Sequence, residues 1–145
     1  MAGGKAQIFD NDLLKLIFNA TPIANIADNA SVSPLTNLYL SLHLSDPGIG
    51  GNQTTVEAQY TPYARQAVAR SAIGWVVSGN SCVLNAPISF PIATAGAGEL
   101  EQFFAIGTAS TGTGKILYRG PLTPQVTIVV GQAPTLTTGT TITEN

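Results

Sequence analysis

The stretch Asn37 to Gly48, NLYLSLHLSDPG, constrains the fold more than any other part of the chain. Leu38, Leu40, Leu42 and Leu44 fall on every second position, with Tyr39, Ser41, His43 and Ser45 between them. This period of 2 predicts a strand with one buried face. Each buried Leu is worth about 1.5–3 kcal/mol over an exposed one, so four in register fix which face points inward. Asp46-Pro47-Gly48 then stops the strand, because Pro47 has no N–H for a ladder and Gly48 admits positive φ. We read this as the central core strand.

The N-terminal residues 1–9 read as a flexible arm, without the apolar run of a signal peptide. Residues 10–36 read as a short helix and a linker. Leu13, Leu14, Ile17 and Phe18 form one apolar stripe over Asp12–Asn19, with Asp10 or Asn11 as the cap and Thr21-Pro22 as the stop. Two turns of helix are not stable alone, so this one must dock on a sheet or another subunit. Residues 37–145 read as one β domain. Tyr63 to Arg70 alternates, and Trp75–Val77 and Ser81–Leu84 flank Ser78-Gly79-Asn80 as a hairpin. Ile88–Phe90 follows, and Glu99–Gly107 carries Leu100, Gln102, Phe104 and Ile106 on one face. Lys115–Arg119 and Gln125–Val130 read as two strands around a corner at Leu122-Thr123-Pro124. Thr135–Thr143 reads as an edge strand or a pair broken at Gly139. Short strands with frequent Gly and Pro turns imply an all-β fold: an antiparallel β-sandwich or barrel, jelly-roll-like, with one short N-terminal helix.

Only 10% of the residues are charged, against roughly 25% in a typical domain. Ser71 to Gly98 and Gly120 to Thr143 carry no charge at all. Such a surface is poorly protected against association and suits a protein packed against neighbours. With a net charge of −2 and no basic run, a phosphate-neutralising nucleic-acid surface is not expected. No apolar run approaches the ~20 residues that span a bilayer. The single Cys82 reads as a small core hydrophobe.

No catalytic constellation stands out, and no cofactor or metal is expected. Gly112-Thr113-Gly114-Lys115 lacks the first Gly of a P-loop and the Ser or Thr after Lys, so it reads as a polar loop before a strand. His43 is the only histidine, which leaves no metal-ligand cluster. Ser41, His43 and Asp46 could be written as a triad. On a strand, however, i and i+2 Cα atoms lie about 6.6 Å apart, side by side. A surface or interface histidine is the expectation. Glu99 and Glu101 share the same spacing and read as solvated or Arg-paired. Arg65, Arg70 and Arg119 are expected to meet carboxylates across subunits, with Glu57, Glu99 and Glu101 available.

Three motifs then carry a resemblance: L-x-L-H-x-x-D-P-G over Leu40–Gly48, Tyr-x-x-Tyr-Ala-Arg over Tyr60–Arg65, and F-A-I-G-T-A-x-x-G-x-G-K-x-L-Y-x-G over Phe104–Gly120. With them the chain, from about Asp12 to its end, resembles a family of small proteins of tailed bacteriophages and prophages, often labelled tail-fibre or hypothetical proteins. None of the motifs is catalytic. The resemblance implies a virion structural protein, not an enzyme, made in the host cytoplasm. Its small β-rich form is similar to capsid cement (decoration) proteins. It would sit on the capsid surface, bind the major capsid protein and associate with itself as a homo-trimer or homo-dimer. The alternative is a tail or tail-fibre component, and a carbohydrate-binding module or small hydrolase comes third. Ile8, Phe9, Leu13, Leu14, Ile17 and Phe18, with Arg65, Arg70 and Arg119, are the expected interaction residues. The loops Gly48–Asn52 and Thr108–Gly114 are expected to join them.

Overall fold

A computed structural model describes residues 4–27 and 33–145. Met1–Gly3 of the expected arm and residues 28–32 of the expected linker lie outside the described residues. The fold is all-β with one short helix. Its antiparallel sheets are open, and none closes into a barrel. The chain divides into two compact units.

The first unit comprises Met1–Asn37, Val68–Pro87 and Thr137–Asn145. It holds helix α1 (Gln7–Asn19) and the three-stranded sheet β3-β4-β9, made of β3 (Trp75–Ser78), β4 (Ser81–Leu84) and β9 (Thr141–Thr143). The predicted hairpin is present. Ser78 pairs with Ser81, and Gly79 makes the turn at φ 58°. The helix starts five residues before the expected Asp12. Its N-cap is Ala6, with no side-chain cap, so the polar signal at Asp10 and Asn11 marked an interior turn. Lys5 ion-pairs with Glu144 and Asp10, which fastens the start of the helix to the end of the chain. Leu14 and Phe18 are fully buried, and the Phe18 ring lies 4.8 Å from that of Trp75. Asn11 donates to Gly79 O at 2.7 Å and Asn19 to Trp75 O at 3.2 Å, so side-chain amides fix the helix along β3. Cys82, Leu84 and Ile142 complete the core. Burial pushes the Cys82 thiol up to about 12, as suits an inert core residue.

The second unit comprises Leu38–Ala67 and Ile88–Leu136. Its sheet follows the order β2-β1-β6-β7, with β1 (Asn37–His43), β6 (Leu100–Gly107) and β7 (Ile116–Thr127). β2 (Gln66–Ala69), shorter than the expected strand, is where the chain passes from one unit to the other. A small sheet pairs β5 (Ile88–Ser89) with β8 (Thr135–Leu136). The Thr-rich tail is therefore a broken pair, as one of its two readings held. Leu38, Leu40 and Leu42 are buried as the alternation requires.

Two expectations fail here. β7 is one strand, where two around a corner were expected. It lies at the sheet edge, and there Pro121 and Pro124 can be tolerated without costing a ladder bond. In β6 the register shifts between Glu101 and Phe103. An irregularity of this kind exchanges faces on its two sides. Phe104 and Ile106 stay buried as expected, while Leu100 turns outward and Glu101 turns inward.

Candidate functional site

The three motif stretches meet in the second unit, in a network of buried polar side chains beneath the loop Thr108–Gly114. Residues 56–58 return along the end of β1: Leu44 N bonds Val56 O at 2.8 Å and Ala58 N bonds Leu42 O at 2.9 Å. This return pairs beside the strand, and Ser41 and His43 on its second face are both fully buried. The histidine expected at the surface or an interface is buried within this chain. Its Nδ1–H donates to Thr55 O at 2.8 Å, which leaves Nε2 to accept from Ser41 Oγ, also at 2.8 Å. Burial holds the His43 pKa below its ordinary value, so the ring stays neutral. Ser41 and His43 do hydrogen-bond, despite the side-by-side spacing, but neither is exposed to a substrate. Val56 turns this segment at φ 47°, a rare conformation for a β-branched residue. That turn sits between the Thr55 carbonyl serving His43 and the Glu57 carboxylate.

Glu57 accepts from Arg65 through both oxygens, Nε to Oε1 at 2.7 Å and Nη2 to Oε2 at 2.8 Å. Tyr63 OH adds a bond to Oε1 at 2.8 Å. The Arg65 side chain, almost wholly buried, spends two further donors on the loop: Nη1 to Ala109 O at 3.0 Å and Nη2 to Gly112 O at 2.7 Å. Gln53 holds the same loop from below. Its N–H reaches Gly114 O at 2.9 Å, and its Oε1 accepts from Ala109 N at 2.9 Å. A Cβ on Gly107 or Gly114 would come 2.1 Å from the Gln53 side chain. The G-T-A-x-x-G-x-G motif is thus the sequence of a loop wrapped round one buried amide. Its tip, residues 110–113, is exposed.

Asp46 of the first motif pairs with Arg119 of the third, at 3.2 Å, and its Oδ1 also accepts from Gly48 N at 2.9 Å. Arg70, in the first unit, donates to Ile17 O and Leu16 O, each at 2.6 Å, and to Leu35 O at 3.2 Å. It therefore satisfies helix-end carbonyls that have no partner inside the helix. All three arginines find partners within the chain. Of the helix residues expected at an interface, Leu14 and Phe18 are core and Leu13 and Ile17 are half-buried, while Ile8 is 76% exposed and Phe9 39%.

The glutamates depart furthest from expectation. Glu99 Oε1 accepts from the Gln59 and Tyr60 amides at 2.8 and 3.0 Å. Glu101 is fully buried, and neither of its oxygens meets a hydrogen-bond donor. Burial first, and the neighbouring Glu99 carboxylate second, raise Glu101 to about 8. It is neither solvated nor Arg-paired. Glu57 is an arginine partner, as the sequence suggested, though within the chain; Gln53 and Tyr63 are network members that the sequence did not mark. The Glu57–Arg65 spacing and the glycine pattern at 107, 112 and 114 were the available signals. Among the described residues no group of three or more His, Cys, Asp or Glu could hold a metal ion.

The arrangement is a β framework with a buried polar network and a loop anchored from within. The family model for Gp80, podophage GP4 fiber I protein gp80, matches residues 8–144. The chain belongs to that family, and it is a bacteriophage virion structural protein. No curated protein matches it.

Proposed function

We propose that this protein is a structural component of the phage tail fibre, acting by assembly and not by catalysis. The family match over residues 8–144, to a fibre I protein, carries this reading. It favours the tail or fibre alternative over the capsid cement protein that the sequence first suggested. The anchored loop supports a binding role. Arg65 and Gln53 fix its shape in the free chain, so little ordering cost remains to be met on contact. Its exposed tip and the exposed Ile8 and Phe9 are the surfaces we assign to neighbouring subunits. The neighbours are further copies of this chain, as a homo-trimer or homo-dimer, and adjoining tail proteins. The low charge suits close packing of that kind. Disrupting purified virions, separating heads from tails and probing each fraction for this chain tests the proposal. Recovery with tails is the expected result, and recovery with heads would overturn it in favour of the cement reading.

A further inference from the structure

We propose that Lys5 and Glu144 condense to an intramolecular isopeptide bond, with Asp10 carrying the proton, so that the two ends of the chain become covalently joined. The proposal rests on the first unit alone and stands whether or not the fibre reading holds.

The sequence sets the three groups far apart, and the fold brings them together. Glu144 follows β9, and its backbone is held on both sides by Asn80. Its N–H donates to Asn80 O at 2.9 Å, and its own carbonyl accepts from Asn80 Nδ2 at 3.1 Å. Asp10 lies in the first turn of α1, where its N–H donates to Ala6 O at 3.1 Å. Lys5, just before the helix, reaches a residue 139 positions away and sets Nζ against the Glu144 carboxylate. The same Nζ lies 3.6 Å from Asp10 Oδ1. Amine and carboxyl are thus held together by the frame, and orientation of this kind can be worth an effective concentration of about 10⁵–10⁸ M.

An ion pair alone does not account for Asp10. One ammonium faces two carboxylates, and Glu144 already meets it. Asp10 is only 5% exposed, and its Oδ1 is buried without a hydrogen-bond partner. Burying a carboxylate oxygen without a donor costs stability, and a Lys5–Glu144 salt bridge needs no such neighbour. Amide formation does need one. It takes an amine, a carboxyl for it to attack and a sheltered base beside the amine.

The step balances without a co-reactant. Proton transfer from Lys5 to Glu144 inside the ion pair gives a neutral amine and a neutral acid. The Nζ lone pair attacks Glu144 Cδ. Asp10 takes the proton that Nζ sheds and passes it to the departing hydroxyl. The N–C bond forms, the C–O bond breaks and one water leaves. One cation and one anion vanish together, so the net charge is unchanged, and Asp10 ends as it began. The product fastens the start of α1 to the end of β9. Closing so long a loop restricts the unfolded chain, so the bridged protein unfolds at a higher temperature than an unbridged one.

Mass spectrometry of the purified, denatured full chain tests the proposal. The mass should fall one water below that of the sequence. A tryptic digest should contain the peptide ending at Lys15 joined to the peptide beginning at Gly120, through Lys5 and Glu144. Lys5→Arg keeps the charge and should restore the full mass and separate peptides. Asp10→Asn keeps both reacting groups and should stay largely unbridged, because general acid–base help is worth about 10²–10⁴-fold. A wild-type chain of full mass would overturn the proposal, and so would a lost water without the joined peptides. Complete bridging in Asp10→Asn would overturn the role given to Asp10.

Discussion

Replacing Glu101 with Gln should stabilise this protein, by more the higher the pH. Glu101 is fully buried, with no donor facing either oxygen, and its folded-state pKa is about 8 against an ordinary 4.5. The folded protein therefore holds a proton that the unfolded chain gives up. Below pH 4.5 both states are protonated and the carboxyl carries no ionic penalty. As pH rises from 4.5 through about 8, stability is lost at about 1.4 kcal/mol per pH unit. The loss reaches ~3 kcal/mol at pH 7 and ~5 kcal/mol above pH 8. Gln has the shape of the neutral acid and cannot ionise, so the variant escapes that loss. Urea unfolding of both proteins at pH 5, 7 and 9 measures it. Every other titrating group is common to the two, so the difference curve isolates residue 101. Divergence of about 4 kcal/mol between pH 5 and pH 9 is expected. Parallel curves would refute the reasoning and mean that Glu101 ionises as freely in the folded protein as in the unfolded chain.

Three further perturbations test the network from other sides. His43 has a lowered folded pKa, so its contribution is present above pH 6.5 and lost as pH falls below that value. An imidazole that NMR shows still neutral below pH 6.5, with the proton on Nδ1, is the expected result. Arg65→Ala should cost about 3–5 kcal/mol, because it strands the Glu57 carboxylate, and should raise amide exchange across residues 108–114. A second change, Glu57→Gln, should restore part of the stability but not the loop protection. Gly107→Ala drives a Cβ into Gln53 and should cost about 1–3 kcal/mol in thermal or chemical unfolding. Pairing it with Gln53→Ser should recover much of that.

The local signals in the sequence held where one strand or turn decided the outcome. The β1 leucines face inward, and the hairpin from Trp75 to Leu84 turns at Gly79. Interior glycines gave the edges of the Thr108–Gly114 loop, though not what lies under it. The failures are non-local. His43 is buried and bonded to Thr55 O, from a segment that returns beside β1, and period 2 says nothing about a covered second face. Glu101 faces inward because of an irregularity in β6 that no residue type announces. The helix begins at Gln7 without a capping side chain, held by Lys5 reaching a residue 139 positions away. The motifs that carried the family resemblance were visible as strings. Their common purpose, to assemble one buried network, required the fold.

Immunogold electron microscopy of intact virions tests whether this chain is built into the fibre. An antibody to the exposed loop tip at 110–113 or to the helix start should place gold along or at the base of the tail fibres. Gold spread over the head, or none on the particle when the same antibody binds the free protein, would rule out a place in the fibre.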